Sequence, residues 1–319
     1  MEKLTINDIL LQYEHYRSLN QMKPMVTTVT AFANLITKTS TEKAYLTQEA
    51  IDTWFVRRKT ESENTHYTRT AHLKHFLQFA IDRGLSDIKI PNVSSKWTPH
   101  AKDPVLMTEE EIARFFKACD ESAVDFENSR NYVDAITKRT IFRLLYSTGM
   151  RPNEARLLSA DDVDLKTGVV FIRETKGYHQ HTNVLCDSML KVMREYDDIV
   201  SKLHDNREYF FQQLGKSCYS SEWLNRAFHK FWHKYNSSNA VVYGFRHHYA
   251  IVNINSWINL GFEESTARLM TLSKSMGHSK LKHTLYYYSL VPQYAVTMKE
   301  LSEKGLDAII HKLPDYEEI

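Results

Sequence analysis

Between Ile90 and Pro104 the helical rhythm of the chain stops. Pro91, Asn92, Ser94, Ser95, Pro99, His100, Ala101, Lys102, Asp103 and Pro104 make up most of that stretch. Proline offers no backbone donor, and short polar side chains compete for backbone hydrogen bonds, so the segment resists both helix and sheet. On either side of it, apolar residues recur at helical spacing. A chain broken in this way folds as two units, and 319 residues are enough for both. The expected division is a helical domain over 1–97, a linker over 98–106, a second domain over 107–292 and a C-terminal helix or tail over 293–319.

In the first part, Leu73, Phe76, Leu77, Ala80 and Ile81 share one face of a helix expected from Thr65 to Arg83, with Gly84 as its stop. Shorter helices are expected from near Thr5, Pro24 and Thr47. The last of these runs through Trp54 and Phe55 into the basic triplet Arg57-Arg58-Lys59. Together they form a small bundle. The second part opens on Thr108 and Glu111 at capping-box spacing, with Met107 and Ile112 at the two positions of a hydrophobic staple. A helix from about Asp134 to Tyr146 closes at Gly149. A hairpin then pairs Gly168–Thr175 with His181–Asp187 around Lys176 and Gly177. Helices follow over Ser188–Val200, Ser221–Tyr235, Gly244–Leu260 and Ser265–Ser275. The fold class is mainly α with a small β-sheet, α+β.

Several function classes fall away on composition. Lys and Arg number 41 against 39 Asp and Glu, so the net charge is only +2 and names no partner. Nucleic-acid binding must therefore rest on local residues. Cys119, Cys186 and Cys218 are far apart and odd in number, which indicates neither a disulfide framework nor a zinc site and fits a reducing cytoplasm. No apolar run reaches the length of a membrane span. No carboxylate cluster suited to Mg²⁺ is evident, and His179 and His181 lack further ligands, so neither metal nor cofactor is expected.

Four segments carry chemistry: Ser147-Thr-Gly-Met-Arg151-Pro-Asn-Glu154, Thr175-Lys176-Gly177, Tyr243-Gly-Phe-Arg246-His247-His248, and Gly277-His278-Ser279 with Tyr286-Tyr287-Tyr288 downstream. Arginine forks grip phosphate oxygens, lysine protonates a leaving oxygen, histidine exchanges protons and a phenol can attack. That is a set for metal-free phosphoryl transfer. Taken singly, each piece has an ordinary structural reading. Arg151 can pair with Glu154 at the surface, Lys176 can be a solvated turn residue, and the histidines and tyrosines can be packing groups.

Taken in order, the series Gly-x-Arg-x-x-Glu, hairpin Lys-Gly, Arg-His, Gly-His-Ser and a Tyr nine residues after that His closely resembles the tyrosine recombinase, or phage integrase, family. The resemblance covers about Pro104 to Ser289, and the preceding helices are similar in size and placement to that family's core-binding DNA clamp. By position it makes Arg151, Lys176, Arg246, His278 and Tyr287 catalytic, with Tyr287 as nucleophile and Tyr286 or Tyr288 as its alternatives. Glu154 and His247 become supporting residues. Two positions depart from the family's pattern. Tyr243 stands where a histidine usually opens the second box, and keeps a possible role as phosphate ligand. His181 stands where the hairpin commonly carries arginine.

The resemblance implies a site-specific recombinase that cuts and rejoins DNA through a 3′-phosphotyrosyl link, for mobile-element or phage integration, excision or transposition. Its implied partners are duplex DNA with a specific core or attachment site and other protomers. These form a dimer on one site and a tetramer in synapsis, or assemblies with sister recombinases, with the C-terminal helix docking on a neighbour. Arg57, Arg58, Lys59, Arg69 and Lys74 are the expected phosphate contacts of the first domain. Alternatives are a weakly catalytic accessory recombinase and a strand-relaxing enzyme of the type IB topoisomerase kind. Because the helices begin close to Met1, no additional arm-binding domain is expected ahead of them.

Overall fold

A computed structural model describes residues 4–22, 27–39, 43–93, 95–98, 104–122, 128–173, 180–204, 206–215, 217–257 and 260–290. The chain divides into two compact units, Met1–Lys102 and Asp103–Ile319.

The first unit holds four helices, α1 (Ile6–Leu19), α2 (Thr27–Thr39), α3 (Gln48–Phe55) and α4 (Glu63–Asp82). Thr5 and Asp8 close a capping box on α1, while Thr47 and Ser62 cap α3 and α4 with their hydroxyls. Leu73, Phe76, Leu77 and Ala80 of α4 are fully buried against Ile6, Ile9, Phe32 and Ile51, as their spacing requires. The helical reading of α3 extends too far. Val56 turns extended after Phe55, so Arg57, Arg58 and Lys59 lie beyond the helix, in an exposed connection. The polar stretch after α4 is also less free than its composition implies. The Thr98 N–H donates to Asn64 Oδ1 at 2.8 Å, and Ser95 Oγ sits 2.7 Å from Nδ1 of His66. These bonds tie 95–98 to α4, and the unit runs on past residue 97.

Arg69 is the main correction in this unit. Expected at a DNA surface, it is instead buried, donating to Glu61 from Nε at 2.7 Å and from Nη2 at 2.8 Å, and to the carbonyls of Trp54 and Val56. It is a packing residue that staples the α3–α4 connection. The Arg69 guanidinium pulls the Glu61 carboxyl down to about 2, against the desolvation that would raise it. A carboxylate depressed in the folded state stabilises fully above its unfolded pKa of 4.5 and loses that contribution as pH falls toward 2. Arg69→Ala leaves Glu61 buried and unpaired, at an expected cost of about 3 kcal/mol at neutral pH. Thermal unfolding should show the gap between wild type and mutant closing on acidification. A gap that is absent at pH 7, or that widens in acid, contradicts this account.

The second unit begins with α5 (Glu109–Asp120), opened by the Thr108–Glu111 capping box. It continues through α6 (Ser129–Thr148) and the short α7 (Pro152–Arg156) to a three-stranded antiparallel sheet of β1 (Val163–Asp164), β2 (Val169–Ile172) and β3 (His181–Val184). Its register pairs Val170 with Asn183 and Ile172 with His181. Val170 and Ile172 point inward while Phe171 faces out, the period-two pattern of a half-covered sheet. The strand β1 was not expected from sequence. Then follow α8 (Asp187–Val200), α9 (Ser221–Tyr235), α10 (Gly244–Trp257), α11 (Phe262–Ser275) and α12 (Lys282–Leu285), with a 3₁₀ turn over Tyr286–Leu290.

Phe115 of α5 is the centre of the main core, ringed by Phe142, Phe228, Phe231, Trp232 and Phe245 at centroid distances of 5.1–6.2 Å. Phe245 thus anchors the start of α10. A second cluster, with Ile254, Trp257, Leu272, Met276 and Tyr287, packs α10, α11 and the 3₁₀ turn together. Anchoring both ends of this assembly fixes Arg246, His278 and Tyr287 relative to one another. Among the described residues no helix is long and apolar enough to cross a membrane.

Candidate active site

Two glycines end the helices that build the site, and both adopt left-handed backbone. Gly149 (φ 63°) closes α6, and Gly277 (φ 61°) follows α11. The conformation suits glycine because it lacks a Cβ, and in each case the freed carbonyl is used. Gly149 O accepts from Arg246 Nη1 at 2.7 Å, and Gly277 O accepts from Arg151 Nη2 at 3.3 Å. Arg246 is therefore held by the turn that presents Arg151, and Arg151 by the turn that presents His278.

Arg151 is the N-cap of α7 and keeps 21% of its side chain exposed. Glu154 is buried beneath it. Its Oε1 accepts from Arg151 Nη1 at 2.5 Å and its Oε2 from the Arg151 backbone N–H at 2.8 Å, which fixes both ends of the residue. Arg246 lies deeper, 1% exposed, with Nη2 donating to Met276 O at 2.6 Å and to His278 Nε2 at 2.9 Å. Burial pushes its guanidinium below the ordinary arginine value. Its Nε is buried with no acceptor among the described residues, a free donor of the kind an anion satisfies.

His278 bridges the cations to the phenol. Nδ1 lies 2.7 Å from Thr284 Oγ1, and burial, then Arg246 and Arg151, pull its pKa down to about 3. The Tyr287 ring stacks on the imidazole at 6.2 Å and 15°, and meets the His247 ring at 5.7 Å. Only 3% of Tyr287 is exposed, so burial pushes its phenol up to about 12, with the Arg246 charge opposing the rise. Tyr286 is 47% exposed. Tyr287 is thus the member of the triplet that faces the arginines and histidines. His247 is half-buried, with its pKa lowered by burial and by Arg246, and its ring lies 5.1 Å from that of Tyr243. Tyr243 itself is 38% exposed at the start of α10.

The structure therefore brings together Arg151, Glu154, Arg246, His247, His278 and Tyr287, with Tyr243 at the margin. Lys176, its hairpin turn and His179 lie outside the described residues, as does the tail over 293–319. The His181 side chain is buried, with its Nε2 3.9 Å from Glu154 Oε2 and its ring packed against Gly277. It supports the turn that presents His278. Thr284 and the glycine carbonyls escaped the sequence reading, since threonine in a polar segment and backbone oxygens carry no motif signal. In the first unit, Arg57 and Lys59 are exposed, Arg58 lies over the Trp54 ring at 5.2 Å and Lys74 is half-exposed. Among the described residues no group of three metal-ligating side chains occurs.

Two arginines, an imidazole and a buried phenol on a helical scaffold with a small antiparallel sheet define a catalytic domain of the tyrosine recombinase type. The chain belongs to the phage integrase family, whose model matches residues 106–293. It is 25% identical over 154 residues to a probable integrase/recombinase protein of Methanocaldococcus jannaschii, covering 46% of this chain and 44% of that one. It is 24% identical over 182 residues to the tyrosine recombinase XerA of Saccharolobus solfataricus, covering 55% and 53%. The chain thus spans about half the length of these curated relatives. In fold it is similar to the XerH site-specific recombinase, solved as a post-cleavage complex with its palindromic difH substrate. The TM-score is 0.56 at 16% identity, over 86% of this chain and 78% of that one.

Proposed function

We propose that this protein is a site-specific DNA recombinase that cuts and rejoins strands through a 3′-phosphotyrosyl intermediate, acting in the cytoplasm on a mobile element or phage genome. The observation that carries the reading is the buried Tyr287 phenol packed on His278 beside the Arg246 guanidinium. Family membership and the post-cleavage complex of XerH support it.

The Tyr287 phenolic oxygen gives up its proton to solvent as it attacks the scissile phosphorus, forming the phosphotyrosyl bond and breaking the bond to the 5′-oxygen. Arg151 and Arg246 neutralise the non-bridging oxygens, where charge is greatest in the pentacoordinate transition state. His278 adds a hydrogen bond. Lys176 delivers the proton that the departing 5′-oxygen takes up. A free 5′-hydroxyl from a partner strand then attacks the phosphotyrosine and regenerates the phenol. Bonds broken and made are of one kind, so the chemistry calls on neither nucleotide nor metal. Exchange needs several protomers on paired sites, and the tail over 293–319 is the segment proposed to link them. Arg57, Arg58, Lys59 and Lys74 are the phosphate contacts proposed for the first unit.

Binding sites selected by the full-length protein from a random-sequence duplex pool supply the substrate, made with a nick that traps cleavage. Wild type should form a covalent adduct without metal or ATP, and Tyr287→Phe none. Specific binding with no adduct from wild type favours the accessory reading instead.

A further inference from the structure

Thr284 lies in α12, with its side chain fully buried and its Oγ1 2.7 Å from His278 Nδ1. On the opposite side of the ring, Nε2 lies 2.9 Å from Arg246 Nη2. A guanidinium only donates, so Nε2 presents its lone pair there and a neutral imidazole carries its proton on Nδ1, donated to Thr284. Burial and two neighbouring arginines hold the ring neutral. In that tautomer His278 has no Nε2–H to offer a phosphate.

We propose that Thr284 is a positioning residue whose hydroxyl accepts from His278 Nδ1 while Nε2 is held by Arg246, and donates to it when Nε2 turns to the scissile phosphate. The proposal rests on the recombinase reading above. In the exchange, the proton on Nδ1 passes to solvent, Nε2 takes one from solvent, and the threonine keeps its own by rotating about Cβ–Oγ1. The ring stays neutral and the proton count is unchanged. A carbonyl in place of Thr284 would accept only and hold the proton on Nδ1, whereas an amide N–H would donate only and oppose the arrangement with Nε2 on Arg246. A hydroxyl is suited to both. Because Oγ1 stays bonded throughout, the imidazole keeps its orientation while its outward face changes from acceptor to donor. Release of Nε2 also frees one Arg246 donor for the same phosphate.

The test uses single-turnover adduct formation on the selected nicked duplex, with the full chain and the variants Thr284→Val and Thr284→Ser. Valine keeps the shape and removes the hydroxyl. It should slow cleavage by about 30-fold, with the Kd for DNA within about twofold of wild type. Serine should recover the rate to within about threefold. The second arm is ¹⁵N spectroscopy of histidine-labelled protein, with His278 assigned by the signal lost in His278→Gln. The free protein should show Nδ1–H, and the complex of Tyr287→Phe with the duplex should show Nε2–H. Cleavage by Thr284→Val at the wild-type rate overturns the proposal. So does serine as slow as valine, the same tautomer free and bound, or a doubly protonated ring in the complex. Wild type that forms no adduct overturns the recombinase reading instead, and the free-protein spectrum still tests the assignment of the Nδ1 proton.

Discussion

Arg246→Ala should lower the single-turnover rate of adduct formation by about a thousandfold, the upper range for removing one oxyanion donor. The size follows from burial. At 1% exposure the guanidinium acts where water does not screen it, and its hold on Gly149 O, Met276 O and His278 Nε2 fixes the turn carrying His278. Removing it withdraws charge from the transition state and loosens the imidazole as well. Arg246→Lys separates these effects. An ammonium keeps the charge but cannot span two carbonyls and an imidazole from one rigid plane, so it should recover only part of the rate. Circular dichroism and DNA affinity guard against simple unfolding. An Arg246→Ala rate within about tenfold of wild type contradicts the site as described.

Gly149→Ala should be among the most destabilising single-methyl changes in the second unit, at about 3 kcal/mol. Left-handed backbone costs an L-residue about 1–2 kcal/mol, and overpacking adds about 1–3 kcal/mol. The new Cβ would stand 2.4 Å from Cδ1 of Tyr249, so the ring would have to shift. Gly215 is an internal control, with φ 67° and only the Arg130 guanidinium end at 3.9 Å. Gly215→Ala should bear the backbone cost alone, about 1 kcal/mol. Because Gly149 O receives Arg246, the first variant should also cut slowly at temperatures where it is folded. Equal melting temperatures for the two variants would show that contact with Tyr249 does not set the cost.

Where a local rule decided the structure, the sequence was readable. The Thr108–Glu111 box starts α5, and α9 spans Ser221–Tyr235 as its spacing predicts. Most of the site was legible only through the resemblance of the ordered series, with Arg151, Arg246, His278 and Tyr287, to the tyrosine recombinase family, since each residue alone has an ordinary structural reading. Tertiary context decided the rest. Arg69 looks solvated on a helix until Glu61, eight positions earlier, folds back onto it. His181 stands where the hairpin of the family commonly carries arginine, and here its side chain packs inside against Gly277. Thr284 matters only after the segment behind His278 coils back to meet Nδ1. None of these pairings has a spacing rule that a single sequence displays.

Mass spectrometry of the trapped wild-type adduct, digested with nuclease and protease, tests the central claim most directly. The account predicts a nucleotide remnant joined through its 3′-phosphate to the peptide carrying Tyr287, with fragmentation placing it on that residue. A remnant on Tyr286 or Tyr288, or one joined through a 5′-phosphate, contradicts it.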